Sequence, residues 1–152
     1  MTSSSIHASA VLVGARAVLI RGPSGAGKSR LAFELIDAAR DGRLRFARLV
    51  GDDRVHLESA GGRLLVRPAP SLAGLIELRG VGILRRDYEP CAVVALVIDL
   101  DAADTQRLPD RPTIQLHGIE LPRLAVASGA AALPAALALL TSTGTAAGPQ
   151  ST

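Results

Sequence analysis

The sequence contains few cysteines and aromatic residues, and it has no long apolar run. The single cysteine, Cys91, excludes a disulfide scaffold and a cysteine-based zinc site. Two phenylalanines, one tyrosine and no tryptophan leave little to stack on nucleic-acid bases. The longest apolar runs, 91–98 and 129–140, are shorter than the ~20 residues that a membrane-spanning helix needs. The first five residues also lack the features of a signal peptide. We therefore expect a cytoplasmic protein that binds neither nucleic acid nor a membrane.

The remaining composition is that of an ordinary globular chain. It has 152 residues, 48% of them hydrophobic and 20% charged, which is enough for one compact domain. Short apolar runs separated by glycine-rich turns predict strands, and helical periodicity appears only at 28–40 and 130–140. We predict a mixed α/β domain over residues 6–140, preceded by a polar lead-in at 1–5 and followed by a flexible tail at 141–152.

Lysine is almost absent, although the formal charge is +3 and the sequence pI is about 10.0. Sixteen of the seventeen cationic residues are arginines, which are scattered along the chain and interleaved with acids. That distribution does not form the basic stripe typical of nucleic-acid binding. The one lysine is Lys28, and its position is informative.

Lys28 lies in a segment that fits the phosphate-binding pattern G-x-x-x-x-G-K-[ST]. An apolar run predicted to be a strand precedes the segment, and the periodic stretch 28–40 follows it. Glycines let backbone amides turn toward phosphate oxygens, the lysine reaches the β- and γ-phosphates, and the final hydroxyl ligates Mg²⁺. The predicted nucleotide-binding residues are Gly22, Pro23, Ser24, Gly25, Ala26, Gly27, Lys28 and Ser29.

Such a site also needs a carboxylate, and the pattern leaves two candidates open. The run V-A-L-V-I-D ends at Asp99, as a Walker B strand would. The run L-V-G-D-D ends in the adjacent acids Asp52 and Asp53, and repulsion between them would suit one of them to proton transfer.

Five segments in order resemble the catalytic domain of the HPr kinase/phosphorylase family, over about residues 6–126. They are I-H at 6–7, the phosphate loop, L-V-G-D-D-R-V at 49–55, E-L-R-G-V-G-I at 77–83 and Q-R-L-P at 106–109. The resemblance implies a P-loop fold of the phosphoenolpyruvate-carboxykinase-like type, with a mixed sheet and few helices. It also implies ATP and Mg²⁺ as cofactors, the phosphocarrier HPr as protein substrate, and a hexameric homo-oligomer.

The resemblance also implies roles for individual residues. Asp53 corresponds to the acid that takes the proton from the substrate serine, in preference to Asp99. Ser29 and Glu77 correspond to the Mg²⁺ ligands. The remaining family positions are the active-site histidine, which is expected to reach Asp53, and two arginines that steady phosphate charge, and they fall here on His7, Arg79 and Arg107.

Some positions depart from the family pattern. Arg30 follows the Lys-Ser pair where the family usually has an acid, and Pro23 replaces a common aspartate. The Pro- and Arg-rich loop associated with the family's phosphorylase activity is not recognisable. Serine kinase activity is therefore the main expectation, with phosphate-dependent dephosphorylation of phospho-HPr, which uses inorganic phosphate and forms pyrophosphate, as a second activity. The alternatives are a small-molecule P-loop kinase and a non-catalytic, ATP-responsive regulatory module.

Overall fold

The structure is a computed structural model that describes residues 2–103 and 112–150. Within these residues it contains eleven strands, two α-helices and a 3₁₀ turn at Pro70–Leu72. The helices are α1 (Lys28–Arg40) and α2 (Ala132–Gln150). The strands are β1 (Ser3–Ile6), β2 (Ser9–Val13), β3 (Arg16–Arg21), β4 (Ala47–Gly51), β5 (Val55–Ala60), β6 (Arg63–Pro68), β7 (Leu75–Leu78), β8 (Gly82–Arg85), β9 (Ala92–Leu100), β10 (Thr113–Leu116) and β11 (Ile119–Val126).

Nine of these strands form one mixed sheet centred on β9. Its main path has the order β1-β5-β6-β9-β3-β2-β4, with β11 and then β10 branching from β9. The first residues of β9 pair antiparallel with β6, whereas its later residues pair parallel with β3 and with β11. Strands β7 and β8 form a separate antiparallel hairpin. The predicted α/β class, a mixed sheet with few helices, is confirmed.

The sheet carries an apolar cluster on each face. Helices α1 and α2 cover one face, where Leu31, Leu35 and Ala136 pack against side chains of β2, β3 and β9. The cluster on the other face joins side chains of β2, β3 and β9 to those of β5, β6 and β11. Because both faces are covered, β3 is buried as a continuous apolar run rather than as an alternating one.

Regular secondary structure extends into both end segments of the described chain. The predicted lead-in at 1–5 is largely strand β1, which pairs antiparallel with β5. Its serines gave no apolar pattern, so this strand was not recognisable from sequence. The backbone of α2 continues to Gln150, so most of the predicted tail at 141–152 is helical. Pro134 falls in the first turn of α2, where its missing N–H removes no helical hydrogen bond.

Neither helix is both long and apolar enough to cross a membrane, as judged over residues 2–103 and 112–150.

Candidate active site

The phosphate loop connects β3 to α1, as the motif predicts. Gly27 precedes α1 with φ 99°, a backbone conformation that side chains with a Cβ rarely adopt. At the start of the loop, a Cβ on Gly22 would lie 3.1 Å from both the Cβ and the carbonyl oxygen of Leu100, so a side chain there would press on β9. The first amides of α1 have no partner within the helix and face the loop with the positive end of its dipole. The segment can therefore surround an anion with backbone donors.

The only lysine of the chain lies across this loop. Its Nζ donates hydrogen bonds to the carbonyl oxygens of Gly22, at 2.7 Å, and Pro23, at 3.1 Å. These contacts hold the ammonium group at the beginning of the loop, next to the backbone that would surround a phosphate. Lys28 is thus placed to neutralise phosphate charge.

Asp52 is the acid that contacts the phosphate loop. Its side chain is almost fully buried, with 2% of the residue exposed. The hydroxyl of Ser29 donates to both carboxylate oxygens, at 2.7 and 2.9 Å. The hydroxyl of Ser9 donates to Oδ1 at 2.6 Å, and the backbone N–H of Glu77 donates to Oδ2 at 3.2 Å. Asp52 therefore joins β2, α1 and β7 at one point, beside the serine that ends the phosphate-loop motif.

The local backbone explains how Asp52 reaches this point. A register shift between β2 and β4 places Gly51 opposite Ala10, so the next residue of the chain lies beside Ser9. Irregularities of this kind commonly redirect a side chain next to a site. Gly51 is also tightly enclosed, since a Cβ there would lie 2.8 Å from Cγ1 of Val55 and 3.1 Å from Cα of Pro68.

Asp53 faces solvent immediately after the buried acid. Its φ of 69° is positive, a conformation that aspartate tolerates better than most residues and that is often found at functional sites. The turn is closed by a hydrogen bond from the N–H of Arg54 to the carbonyl oxygen of Asp52, at 2.8 Å. Asp53 is exposed, so its carboxylate is accessible to an incoming group. It follows directly after Asp52, the residue that contacts Ser29.

His7 contacts Arg54 rather than Asp53. Arg54 donates through Nη2 to Nε2 of His7 at 2.7 Å and through Nη1 to the hydroxyl of Ser5 at 3.1 Å. The physical reason is the register of β1 and β5. Ile6, the last residue of β1, pairs with Val55, the first of β5, so His7 directly after β1 lies near Arg54 directly before β5. The expected contact with Asp53 is thus replaced by one with its neighbour. Since Nε2 accepts a hydrogen bond, a neutral His7 carries its proton on Nδ1.

Two predicted residues lie on the β7–β8 hairpin. The backbone of Glu77 is held by Asp52, while its side chain is exposed. The guanidinium of Arg79 lies over the phosphate loop, where its Nη2 would be 3.6 Å from a Cβ on Gly25. The hairpin therefore brings one acid and one cation to the loop. Arg107, the second predicted arginine, lies outside the described residues.

The oxygen atoms gathered here suit Mg²⁺. Ser29 and Asp52 provide a hydroxyl and a carboxylate beside the phosphate loop, and Glu77, whose backbone N–H is held by Asp52, adds an exposed carboxylate on the neighbouring hairpin. No group of three or more histidine, cysteine, aspartate or glutamate side chains capable of holding a metal occurs in the part of the chain that the structure describes. A hydroxyl with one or two carboxylates is the kind of ligand set that suits Mg²⁺, which typically uses one or two carboxylates together with substrate phosphates and water.

Asp99, the competing Walker B candidate, belongs to a separate ion pair. It accepts two hydrogen bonds from Arg21, at 2.8 and 2.9 Å, and one from Nε of Arg123. Burial by itself raises the pKa of Asp99, but the hydrogen bonds and charges of the two arginines outweigh it and hold that pKa below its ordinary value of 3.8. Asp99 thus ties β3, β9 and β11 together.

Replacing this acid with Asn is expected to lower the free energy of unfolding by about 3 kcal/mol at neutral pH, because two partly buried arginines lose their counter-charge. The lowered folded-state pKa means that the ion pair stabilises the protein above the unfolded-state pKa. This contribution is lost as the pH falls through the folded-state value. Urea unfolding from neutral pH down to pH ~2 should therefore show wild type and Asp99→Asn converging in stability. A stability difference independent of pH would contradict this. Asp41→Asn, at an exposed pair with Arg43, is the control and should change stability little.

The contacts of Asp52 and Arg54 were not apparent from the sequence. The double acid was a visible signal, but it did not show which carboxylate would be buried. That outcome depends on the pairing of β2 with β4, which brings Ser9 next to Asp52. The Arg54 contact depends in the same way on the unpredicted strand β1.

Comparison with known proteins gives a consistent result. The family model of the HPr Serine kinase C-terminal domain matches residues 1–128. The HPr kinase/phosphorylase of Streptococcus thermophilus is 36% identical over 135 residues, which cover 80% of this chain and 41% of the relative. That of Geobacillus thermodenitrificans is 34% identical over 137 residues, covering 82% and 42%. The chain therefore spans about two fifths of the length of these curated relatives.

A solved structure supports the fold. The HPr(Ser) kinase/phosphatase from Coxiella burnetii superposes with a TM-score of 0.77, covering 97% of this chain and 94% of that chain, at 21% sequence identity.

Proposed function

The chain belongs to the HPr serine kinase C-terminal domain family, and from that premise we propose that it transfers the γ-phosphoryl group of ATP to a serine of an HPr-type phosphocarrier. The single observation that carries the proposal is the position of the two adjacent acids. Asp52 is hydrogen-bonded to the P-loop serine, while Asp53 faces solvent one residue away. In this proposal Asp52 lies next to the bound nucleotide, and Asp53 faces the incoming serine.

In this proposal the phosphate loop binds and orients ATP. Backbone amides of residues 22–29 surround the phosphates, and Lys28 exchanges its carbonyl contacts for phosphate oxygens. Arg79, lying over Gly25, adds positive charge where charge develops during transfer. Arg107 is assigned the same role from the family pattern.

Mg²⁺ would be held by the hydroxyl of Ser29 and the carboxylate of Glu77, with Asp52 beside them. When bound, it would neutralise the negative charge that develops on the phosphates during transfer. Asp52 accepts a hydrogen bond from the Ser29 hydroxyl, so the lone pairs of that hydroxyl oxygen face away from Asp52 and are available to a cation.

Asp53 accepts the hydroxyl proton of the substrate serine in the kinase direction. In the reverse direction, with inorganic phosphate as the attacking group, it returns that proton and pyrophosphate is formed; the same residue serves both by microscopic reversibility. His7 does not contact the substrate in this proposal. It acts indirectly, by accepting a hydrogen bond from Arg54, the residue that follows Asp53 in the chain. We further propose that the protein works in the cytoplasm as a homo-oligomer, a hexamer on the family pattern.

The test is a phosphorylation assay with this chain, Mg²⁺, labelled ATP and purified HPr. We expect label on a serine of HPr, and loss of that label when phospho-HPr is incubated with inorganic phosphate. Label found only in metabolites of a cell extract would replace the proposal with a small-molecule kinase. ATP binding without transfer to any acceptor would replace it with a regulatory module.

A further inference from the structure

We propose that Ser9 is a positioning residue for the metal side of this site, acting through Asp52. The inference rests on the proposed function, because it concerns how the chain prepares for Mg²⁺ and nucleotide. Ser9 belongs to β2 and lies outside the phosphate loop. Its hydroxyl proton is committed to Asp52 at 2.6 Å.

Ser9 is a polar exception in an apolar strand. It is completely buried, and the residues on either side, Ala8 and Ala10, are completely buried as well. A hydroxyl at such a position costs free energy unless it is hydrogen-bonded, and the partner here is a carboxylate. Side chains alternate along a strand, so Ser9 shares with Val11 the face covered by α1, whereas Ala8 and Ala10 contribute to the opposite cluster. The serine thus points to the face where the phosphate loop begins its helix.

The three hydrogen-bond donors around Asp52 differ in which carboxylate oxygen they contact. The N–H of Glu77 is on Oδ2, and the Ser9 hydroxyl is on Oδ1. Ser29 donates to both oxygens, so its hydrogen bond does not favour one rotation of the Asp52 carboxylate about the Cβ–Cγ bond over another. Ser9 and the Glu77 amide, approaching different oxygens from different strands, fix that rotation. Removing the Ser9 hydroxyl leaves Ser29 as the remaining donor to Oδ1 and the Glu77 N–H as the only donor specific to one oxygen, so the acceptor of Ser29 is less firmly oriented.

A residue such as Ser9, which would orient a metal-site carboxylate without touching the metal, affects metal affinity more than the stability of the fold. Loss of a residue that orients a metal-site group typically lowers metal affinity by about 10–100-fold. We therefore expect Ser9→Ala to weaken binding of divalent metal about tenfold in the presence of nucleotide. Nucleotide binding without metal should change by less than about twofold, because the phosphate loop and Lys28 are untouched.

The experiment measures Mn²⁺ binding to the protein–ADP complex by electron paramagnetic resonance, with Mn²⁺ as the probe for the Mg²⁺ site. Ser9→Ala, the isosteric Ser9→Cys and the hydroxyl-retaining Ser9→Thr are compared, and thermal unfolding identifies any variant that fails to fold. Affinity should fall in the first two variants and recover in Ser9→Thr. If threonine is not accommodated, Ser9→Cys alone decides the outcome. The matched control is Ser59→Ala, which removes a serine hydroxyl bonded to the N–H of Thr2 and should leave Mn²⁺ affinity unchanged.

A double-mutant cycle separates positioning from general stability. If Ser9 acts through Asp52, the loss caused by Ser9→Ala should disappear in an Asp52→Asn background. An equal loss in both backgrounds, or unchanged Mn²⁺ affinity in folded Ser9→Ala and Ser9→Cys, would overturn the inference alone. Wild-type protein that binds no nucleotide and no Mn²⁺ would overturn the proposed function, and this inference with it.

Discussion

Asp53→Asn is expected to lower phosphoryl transfer from ATP to HPr by about 10²–10⁴-fold while leaving ATP affinity nearly unchanged. Asparagine has almost the same shape as aspartate, but it cannot accept the serine proton. The native side chain is exposed, so the substitution disturbs no buried contact. The measurement is the initial rate of phospho-HPr formation at saturating ATP, together with the dissociation constant for ATP.

Asp52→Asn is the matched comparison, because the two acids are adjacent and only one is buried. This variant should lose affinity for divalent metal, since the amide replaces the carboxylate that receives the Ser29 and Ser9 hydroxyls. Near-normal turnover by Asp53→Asn would show that the proton is taken elsewhere. In that case the assignment of the two acids would have to be reversed or abandoned.

Lys28→Ala is expected to abolish transfer to HPr and to weaken ATP binding by about 100-fold. The variant removes the ammonium that the structure holds against the carbonyl oxygens of Gly22 and Pro23. Residues 22–29 contain no arginine that could replace it, so the loop itself would be left with only uncharged donors, its backbone amides and serine hydroxyls. Calorimetric titration with ATP and the HPr assay measure the two effects.

The control for this variant is Arg40→Ala, which removes one positive charge from the other end of the same helix. Arg40 is exposed in the last turn of α1, so ATP affinity should stay within about twofold of wild type. Equal losses in the two variants would indicate a general effect of net charge. Retained ATP affinity in Lys28→Ala would place the triphosphate outside the predicted loop.

Parts of the site that are contiguous in the chain were predictable from sequence. The phosphate loop lies within eight residues, and its glycines, lysine and serine each follow from the requirements of a phosphate at a helix N-terminus. The α/β class followed from the short apolar runs and the two periodic stretches, whereas the mixed sheet was implied by the family resemblance. The hairpin carrying Glu77 and Arg79 was not assigned as such, but the family resemblance had already singled out both residues.

Contacts between strands far apart in sequence were not predictable. Asp99 follows the most apolar run of the chain, and that pattern is the same whether the acid meets Mg²⁺ or two arginines. The deciding fact is that β3 and β11 flank β9 and bring Arg21 and Arg123 to it. Likewise, His7 was expected near the acids, but the exact register of β1 on β5 sets its partner as Arg54.

The parallel pairing of β3 with β9 has a consequence for how the protein is made. Ile20, just before the phosphate loop, pairs with Ile98, which leaves the ribosome 78 residues later. Until then the nascent chain has the whole nucleotide motif without the strand on which it rests, and β3 has an open edge. ATP can therefore assist folding only after β9 has been synthesised, and chains released earlier expose an apolar strand to aggregation.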